Sequence, residues 1–135
     1  MDKTQIPQII SLPKILDDRG NLSFIESENH IPFKIRRSYW IYDVPGGHLR
    51  GSHAFKKQHE LILALSGSFD VVLHNGKEET RYSLRRSYYG LYVPPMHYRT
   101  LDNFSTNSVA LVLSSESYDP DDYIWNLEDL KKAAQ

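Results

Sequence analysis

The segment from Gly47 to Gly67, GHLRGSHAFKKQHELILALSG, holds the side chains best suited to chemistry in this chain. His53 is of a residue type that titrates near neutrality, so it can take up and return protons. Glu60 offers a carboxylate with two readings, a contact to a ligand or a partner for a buried arginine. Phe55 stands between them and can do neither. Residues two apart on a strand share a face, so His53 and Phe55 look the same way. His97 and Arg99 are related likewise in YVPPMHYRTLDNF, Tyr92 to Phe104. Arg50, Lys56 and Lys57 flank His53 with positive charge, which points to an anionic ligand held by bidentate arginine contacts. Lysines guarding a strand edge account equally well for Lys56 and Lys57, though less well for Arg50. His59 precedes Glu60 and alternation turns it outward, while His30, His48 and His74 fall in turns.

The elements that must position these groups read as β-strands. Short runs rich in Val, Ile, Leu, Tyr and Phe alternate with turn signals at DDRGN, VPGGH, SGS, HNGK and VPP. Strands are predicted at 8–12, 22–26, 35–43, 49–55, 59–65, 68–74, 78–84, 89–93, 96–101 and 107–114. Asn75-Gly76 predicts a two-residue hairpin turn. A helical turn is expected at 120–126, and LEDLKKAAQ predicts a last helix, with acidic residues first and lysines later. So many short strands in a chain of 135 residues imply an antiparallel sandwich or barrel, in a single domain over 1–135.

Composition narrows the function. Sixteen Lys and Arg oppose 17 Asp and Glu, so no general attraction to nucleic acid or anionic membrane is expected. The absence of cysteine excludes thiol catalysis and fits a reducing cytoplasm. The N-terminal MDKTQIPQII lacks the layout of a signal peptide, and no apolar run approaches the roughly 20 residues of a membrane span.

The spacing Gly47, His53, Phe55, Glu60, Gly67 resembles the first signature of the cupin β-barrel, with Phe where a second His usually stands. YVPPMHYRTLDNF resembles the second signature; with Asn103 in the Asn place, the ligand column falls on Arg99. Metal-binding cupins present three His and one Glu there. Two surviving donors beside a permanent guanidinium charge argue for an organic ligand, with no metal and no cofactor. His97 could supply a third donor only if it faced the same interior. The fold implied is all-β: a cupin-type antiparallel β-barrel (jelly roll) with a short C-terminal helix.

A closer resemblance covers nearly the whole chain. DDRGNLSFIE, IPFKIRRSYWIYDVPGG, RGSHAFKKQHELILALSGSFDVVLHNG, YYGLYVPP, DNFS and SSESYDPDDYI resemble the WxcM-like cupins, sugar 3,4-ketoisomerases acting on dTDP-4-keto-6-deoxyglucose. The resemblance implies a homodimeric cytoplasmic enzyme that makes deoxysugars for surface polysaccharide, with a dTDP-sugar as substrate. Its motifs assign proton transfer to His53, a place near the sugar to Tyr39, and polarisation of the ketone to Arg99. Arg50 and Lys57 fall where contacts to diphosphate or sugar oxygens are expected, and Arg19, Arg37, Glu60 and His97 complete the candidate substrate-binding set. The departure is Phe55, where the family carries a histidine usually taken as a main base. His53 then acts alone or with His97 or Glu60, the reaction has changed to that of a related epimerase or isomerase on a different keto-sugar nucleotide, or the pocket only binds.

Overall fold

Alternating apolar and polar side chains fold as strands because the two faces of a strand meet different surroundings. The computed structural model describes residues 3–135, so the first two residues of the expected domain lie outside the described residues. Twelve strands run in order as β1 (Gln8–Ser11), β2 (Lys14–Ile15), β3 (Leu22–Ser23), β4 (Arg37–Tyr42), β5 (Arg50–Phe55), β6 (Glu60–Ser66), β7 (Phe69–His74), β8 (Glu79–Leu84), β9 (Tyr89–Val93), β10 (Tyr98–Asp102), β11 (Val109–Ser114) and β12 (Tyr123–Ile124). One helix, α1 (Leu127–Ala133), closes the chain.

The ladders are antiparallel and form two five-stranded sheets, β1-β9-β6-β11-β4 and β12-β5-β10-β7-β8, beside a small β2-β3 hairpin. Ile62, Ala64 and Val112 of the first sheet meet Phe69, Val71 and Leu101 of the second in one core. The fold is therefore the all-β, cupin-type jelly roll, with its interior between two facing sheets. On β6, Glu60, Ile62 and Ala64 take the inner face while Leu61 and Leu63 pack outward beneath Ile31 and Phe33. Ala54, Ile124 and Leu130 join the back of β5 to α1.

Three local expectations are corrected. The segment 120–126 is not a helical turn throughout. Pro120–Asp122 is a single 3-10 turn, after which Tyr123 and Ile124 pair with Phe55 and Ala54 as a new edge strand. The alternation in Tyr-Ile-Trp carried that signal. The hairpin at Asn75-Gly76 spans four loop residues, because His74 pairs with Glu79. The Asn75 side chain accepts from the Lys77 and Glu78 amides and shapes the longer loop. The 22–26 strand shrinks to Leu22–Ser23, paired with the unanticipated β2.

Candidate active site

The pairing of β5 with β10 sets the site. Arg99 lies opposite His53 and Leu101 opposite Arg50, so β5 carries one extra residue, a bulge that re-aims its neighbours. Gly51 sits within it at φ +66°, and a Cβ there would fall 2.4 Å from Arg99 Nη1. Only glycine meets both demands. Its carbonyl instead accepts from Arg99 Nη1 at 2.9 Å.

Arg99 is among the largest fully buried side chains, and a permanent charge at that depth requires partners. Its Nε and Nη2 donate to the two oxygens of Glu60, a buried bidentate pair. Nη2 also donates to the Tyr39 hydroxyl at 2.6 Å, which in turn donates to Glu60 Oε2 at 3.0 Å. Burial opposes the arginine charge, yet Glu60 and then Tyr39 outweigh it and hold the guanidinium above its ordinary value. Burial pushes the Tyr39 phenol up; Arg99 pulls against this and Glu60 adds to it. Tyr39 is thus a neutral hydrogen-bond donor beside a fixed cation.

These groups open on a cavity of about 480 Å³ lined by Arg37, Tyr39, Arg50, His53 and Arg99, with Tyr118, Tyr123 and Trp125 around them. The volume suits a small organic ligand. The His53 ring meets Phe55, Tyr123 and Trp125 edge-on at centroid distances of 4.8, 5.0 and 5.8 Å. Its Nδ1 is buried without a hydrogen-bond partner among the described residues, as is Arg37 Nε. Burial first, then the charges of Arg99 and Arg37, push the His53 imidazole down to about 3. His53 is therefore neutral at physiological pH, able to accept a proton. The Arg37 guanidinium lies over the rings of Tyr39 and Tyr118 at 5.1 and 5.5 Å, a cation held facing the cavity.

Of the side chains expected at the site, His53, Tyr39, Arg99, Arg37 and Arg50 meet there, and four do not. Glu60 stands behind Arg99, its oxygens taken by Arg99, Tyr39 and Gln58, so its role is counter-ion and not wall. His97 precedes β10 and faces another hollow with His59, Pro94 and Pro95, where its Nδ1 lies 3.0 Å from the Pro95 carbonyl. It shares no cavity with Arg99 because the strand begins only at Tyr98. Lys57 is exposed on the turn after β5. Arg19 is exposed at the tip of the β2-β3 hairpin and pairs with Asp17 at 2.8 Å. Among the described residues no group of three or more His, Cys, Asp or Glu could hold a metal ion. The aromatic trio Tyr118, Tyr123 and Trp125 was missed, because an expected helical turn hid the alternation that points Tyr123 and Trp125 to one side. A larger hollow, about 670 Å³, lies on the outer face of the first sheet, walled by Trp40, Tyr42, Leu65, Val109 and Leu111. Its lining includes no histidine.

An antiparallel jelly roll whose mouth is lined by a histidine and three arginines is a cupin-type fold with a cationic cavity. The chain belongs to the family described as FdtA: WxcM-like, C-terminal, which it matches over residues 5–135. It is 39% identical over 125 residues to the TDP-4-oxo-6-deoxy-alpha-D-glucose-3,4-oxoisomerase of Aneurinibacillus thermoaerophilus, covering 93% of this chain and 90% of that one. It is also similar to QdtA, a 3,4-ketoisomerase of Thermoanaerobacterium thermosaccharolyticum, in a histidine-to-asparagine variant complexed with TDP-4-keto-6-deoxyglucose. That likeness has a TM-score of 0.92 at 35% identity, over 99% and 96% of the two chains. The WlaRB TDP-quinovose 3,4-ketoisomerase of Campylobacter jejuni superimposes with a TM-score of 0.89 at 36% identity, over 93% and 97%.

Proposed function

We propose that this protein is a 3,4-ketoisomerase acting on a TDP-linked 4-keto-6-deoxyhexose, as a step of deoxysugar synthesis in the cytoplasm. The observation that carries the reading is His53, held neutral in the same cavity as Tyr39 and the Arg99 guanidinium. In the reaction, His53 removes the proton from C3, whose bonding pair forms the C3–C4 double bond while the C4 carbonyl oxygen gains negative charge. Arg99, whose Nη1 has a second N–H beyond the one given to the Gly51 carbonyl, offers a hydrogen bond to that oxygen. In the resulting enediolate the O3 proton passes to O4 as the His53 imidazolium returns a solvent-exchangeable proton to C4, leaving the ketone on C3 and a hydroxyl on C4. Arg37 and Arg50 bind the diphosphate. No step needs a metal or redox partner.

Transfer of the C3 hydrogen to solvent tests the reading. With TDP-4-keto-6-deoxyglucose in deuterated water, NMR should show loss of the C3 proton signal and growth of the 3-keto isomer. Tight binding with no exchange would mean a binding module that has kept the pocket and lost the reaction. Phe55→His supplies a second base; the rate should rise about tenfold or more, within reach of the roughly 10²–10⁴-fold that a positioned acid or base contributes. A folded variant with no gain would indicate another keto-sugar nucleotide.

The homodimer is proposed on the outer face of the first sheet. Trp40, Tyr42 and Leu65 are each at least half exposed there, and Leu65 and Leu111 continue the apolar surface into the next hollow, beside Phe24 and Ile25. An apolar surface of this kind normally has a partner. Light scattering should give twice the chain mass for the wild type and a monomer for Trp40→Glu; an unaltered mass would move the interface elsewhere.

A further inference from the structure

Behind the cavity, a buried polar chain leads away from the reacting groups. Gln58 is 2% exposed although it carries an uncharged polar amide. Its Nε2 donates to Glu60 Oε2 at 3.0 Å and to Ser114 Oγ at 3.2 Å. The acceptor on Glu60 is a carboxylate oxygen, so the NH₂ end of the amide must face it. That same oxygen takes the Tyr39 hydroxyl at 3.0 Å and Arg99 Nη2 at 3.2 Å. Three donors therefore share one atom, and the direction of each depends on the other two.

Gln58 is itself held at its backbone. The amides of Lys57 and Gln58 donate to the two oxygens of the buried Asp122 carboxylate at 2.8 and 3.1 Å. The Lys56 amide donates to the Asp122 carbonyl at 3.0 Å. Asp122 adjoins Tyr123, whose strand pairs with β5 and places its ring against His53. The turn after β5 is thereby fixed to the segment carrying the aromatic wall, and Gln58 projects from that turn onto Glu60.

We propose that Gln58 is a positioning residue, whose amide sets the Glu60 carboxylate and through it the angle at which Arg99 presents its remaining Nη1 N–H to the cavity. Gln58 touches no substrate. It acts because oxyanion stabilisation depends on donors aimed within a few tenths of an ångström. Its kinetic readout rests on the isomerase reading above; its geometric readout does not.

Two variants and one resonance test it. Gln58→Leu keeps the volume and removes the amide; kcat should fall about 10- to 100-fold with KM changed less than about threefold, the pattern of a group supporting those that act in the transition state. The Arg99 Nε–H proton resonance should shift and broaden. Gln58→Glu gives a pH signature that simple loss of packing would not. When protonated, the introduced carboxyl donates to Glu60 as the amide did; when ionised, it repels Glu60. Activity in Gln58→Glu should recover as pH falls, opposite in sign to the loss expected from protonating His53. A folded Gln58→Leu with kcat within about twofold of wild type would overturn the proposal. A Gln58→Glu pH profile superimposable on the wild-type one would do the same, and it decides the matter if Gln58→Leu fails to fold. If the wild type itself shows no C3 exchange, the isomerase reading fails alone. The Arg99 resonance then decides, and an unmoved signal in either variant ends the proposal.

Discussion

Replacing His53 with Asn should stop C3 proton exchange, lowering turnover by about 10²–10⁴-fold while nucleotide binding survives. The pH dependence separates this role from a structural one. In the free protein, burial and then Arg99 and Arg37 push His53 down to about 3. The profile of kcat/KM should therefore pass flat through the range near 6.5 where an ordinary histidine titrates. So depressed a group is a weak base until the ligand arrives. A bound diphosphate offsets the charge of Arg37 and lets the imidazole rise, so the acid limb of kcat should lie at higher pH than that of kcat/KM. Stability carries the same signature. An unfolded histidine binds its proton below about 6.5, whereas folded His53 refuses it until about 3. Between those values the unfolded chain binds more protons, so wild-type stability drops as pH falls through that window. His53→Asn lacks this component, so the wild-type urea midpoint should fall relative to that of the variant between pH 7 and pH 4. An active Asn variant would remove His53 from the reaction, whereas an inflection near 6.5 in kcat/KM that disappears in the variant would show His53 acting with an ordinary histidine pKa.

The sequence was most readable where periodicity and a fixed spacing coincided. His53 and Arg99 could be placed on one interior because a two-residue repeat governs both β5 and β10, and the structure pairs them as cross-strand neighbours. Tyr39 and Tyr42 differ by an odd number of positions, and they do part, inward and outward. His97 escaped the rule because alternation holds only inside a strand, and the chain at Met96 is at φ +64°, which breaks the face relation before β10 starts. The bulge at Gly51 was invisible for a related reason: glycine marks permission for positive φ without saying how the neighbouring strand will use it. Glu60 posed a different problem. Spacing places it inside, but the choice between ligand contact and ion pair depends on how deeply Arg99 is buried, which spacing does not set. Gln58 gave no signal at all, since a glutamine in a turn is normally solvated.

Arg99→Met should be the most destabilising single change at this site. The pair of Arg99 and Glu60 is buried on both sides, each side chain 1% exposed. Removing the cation leaves a carboxylate with only Tyr39 and Gln58 as donors, and breaking such a pair costs about 3–5 kcal/mol. For a chain of this size that corresponds to a fall in Tm of roughly 10–20 °C. The cost is of leaving one charge behind, not the worth of the pair itself. Arg99→Met combined with Glu60→Gln should therefore regain much of the lost stability, because a neutral side chain then faces a neutral one. Activity should not return, since the donor to the C4 oxygen is gone in both proteins. The acid limb of kcat/KM should also move upward in each, because one of the charges depressing His53 has been removed. Thermal unfolding and C3 exchange measured on the two variants separate these consequences. A single variant losing under about 1 kcal/mol would show that Glu60 does not depend on Arg99 as its counter-ion. A double variant that recovered turnover along with stability would show that the developing negative charge is met elsewhere in the cavity, leaving Tyr39 as the donor to examine.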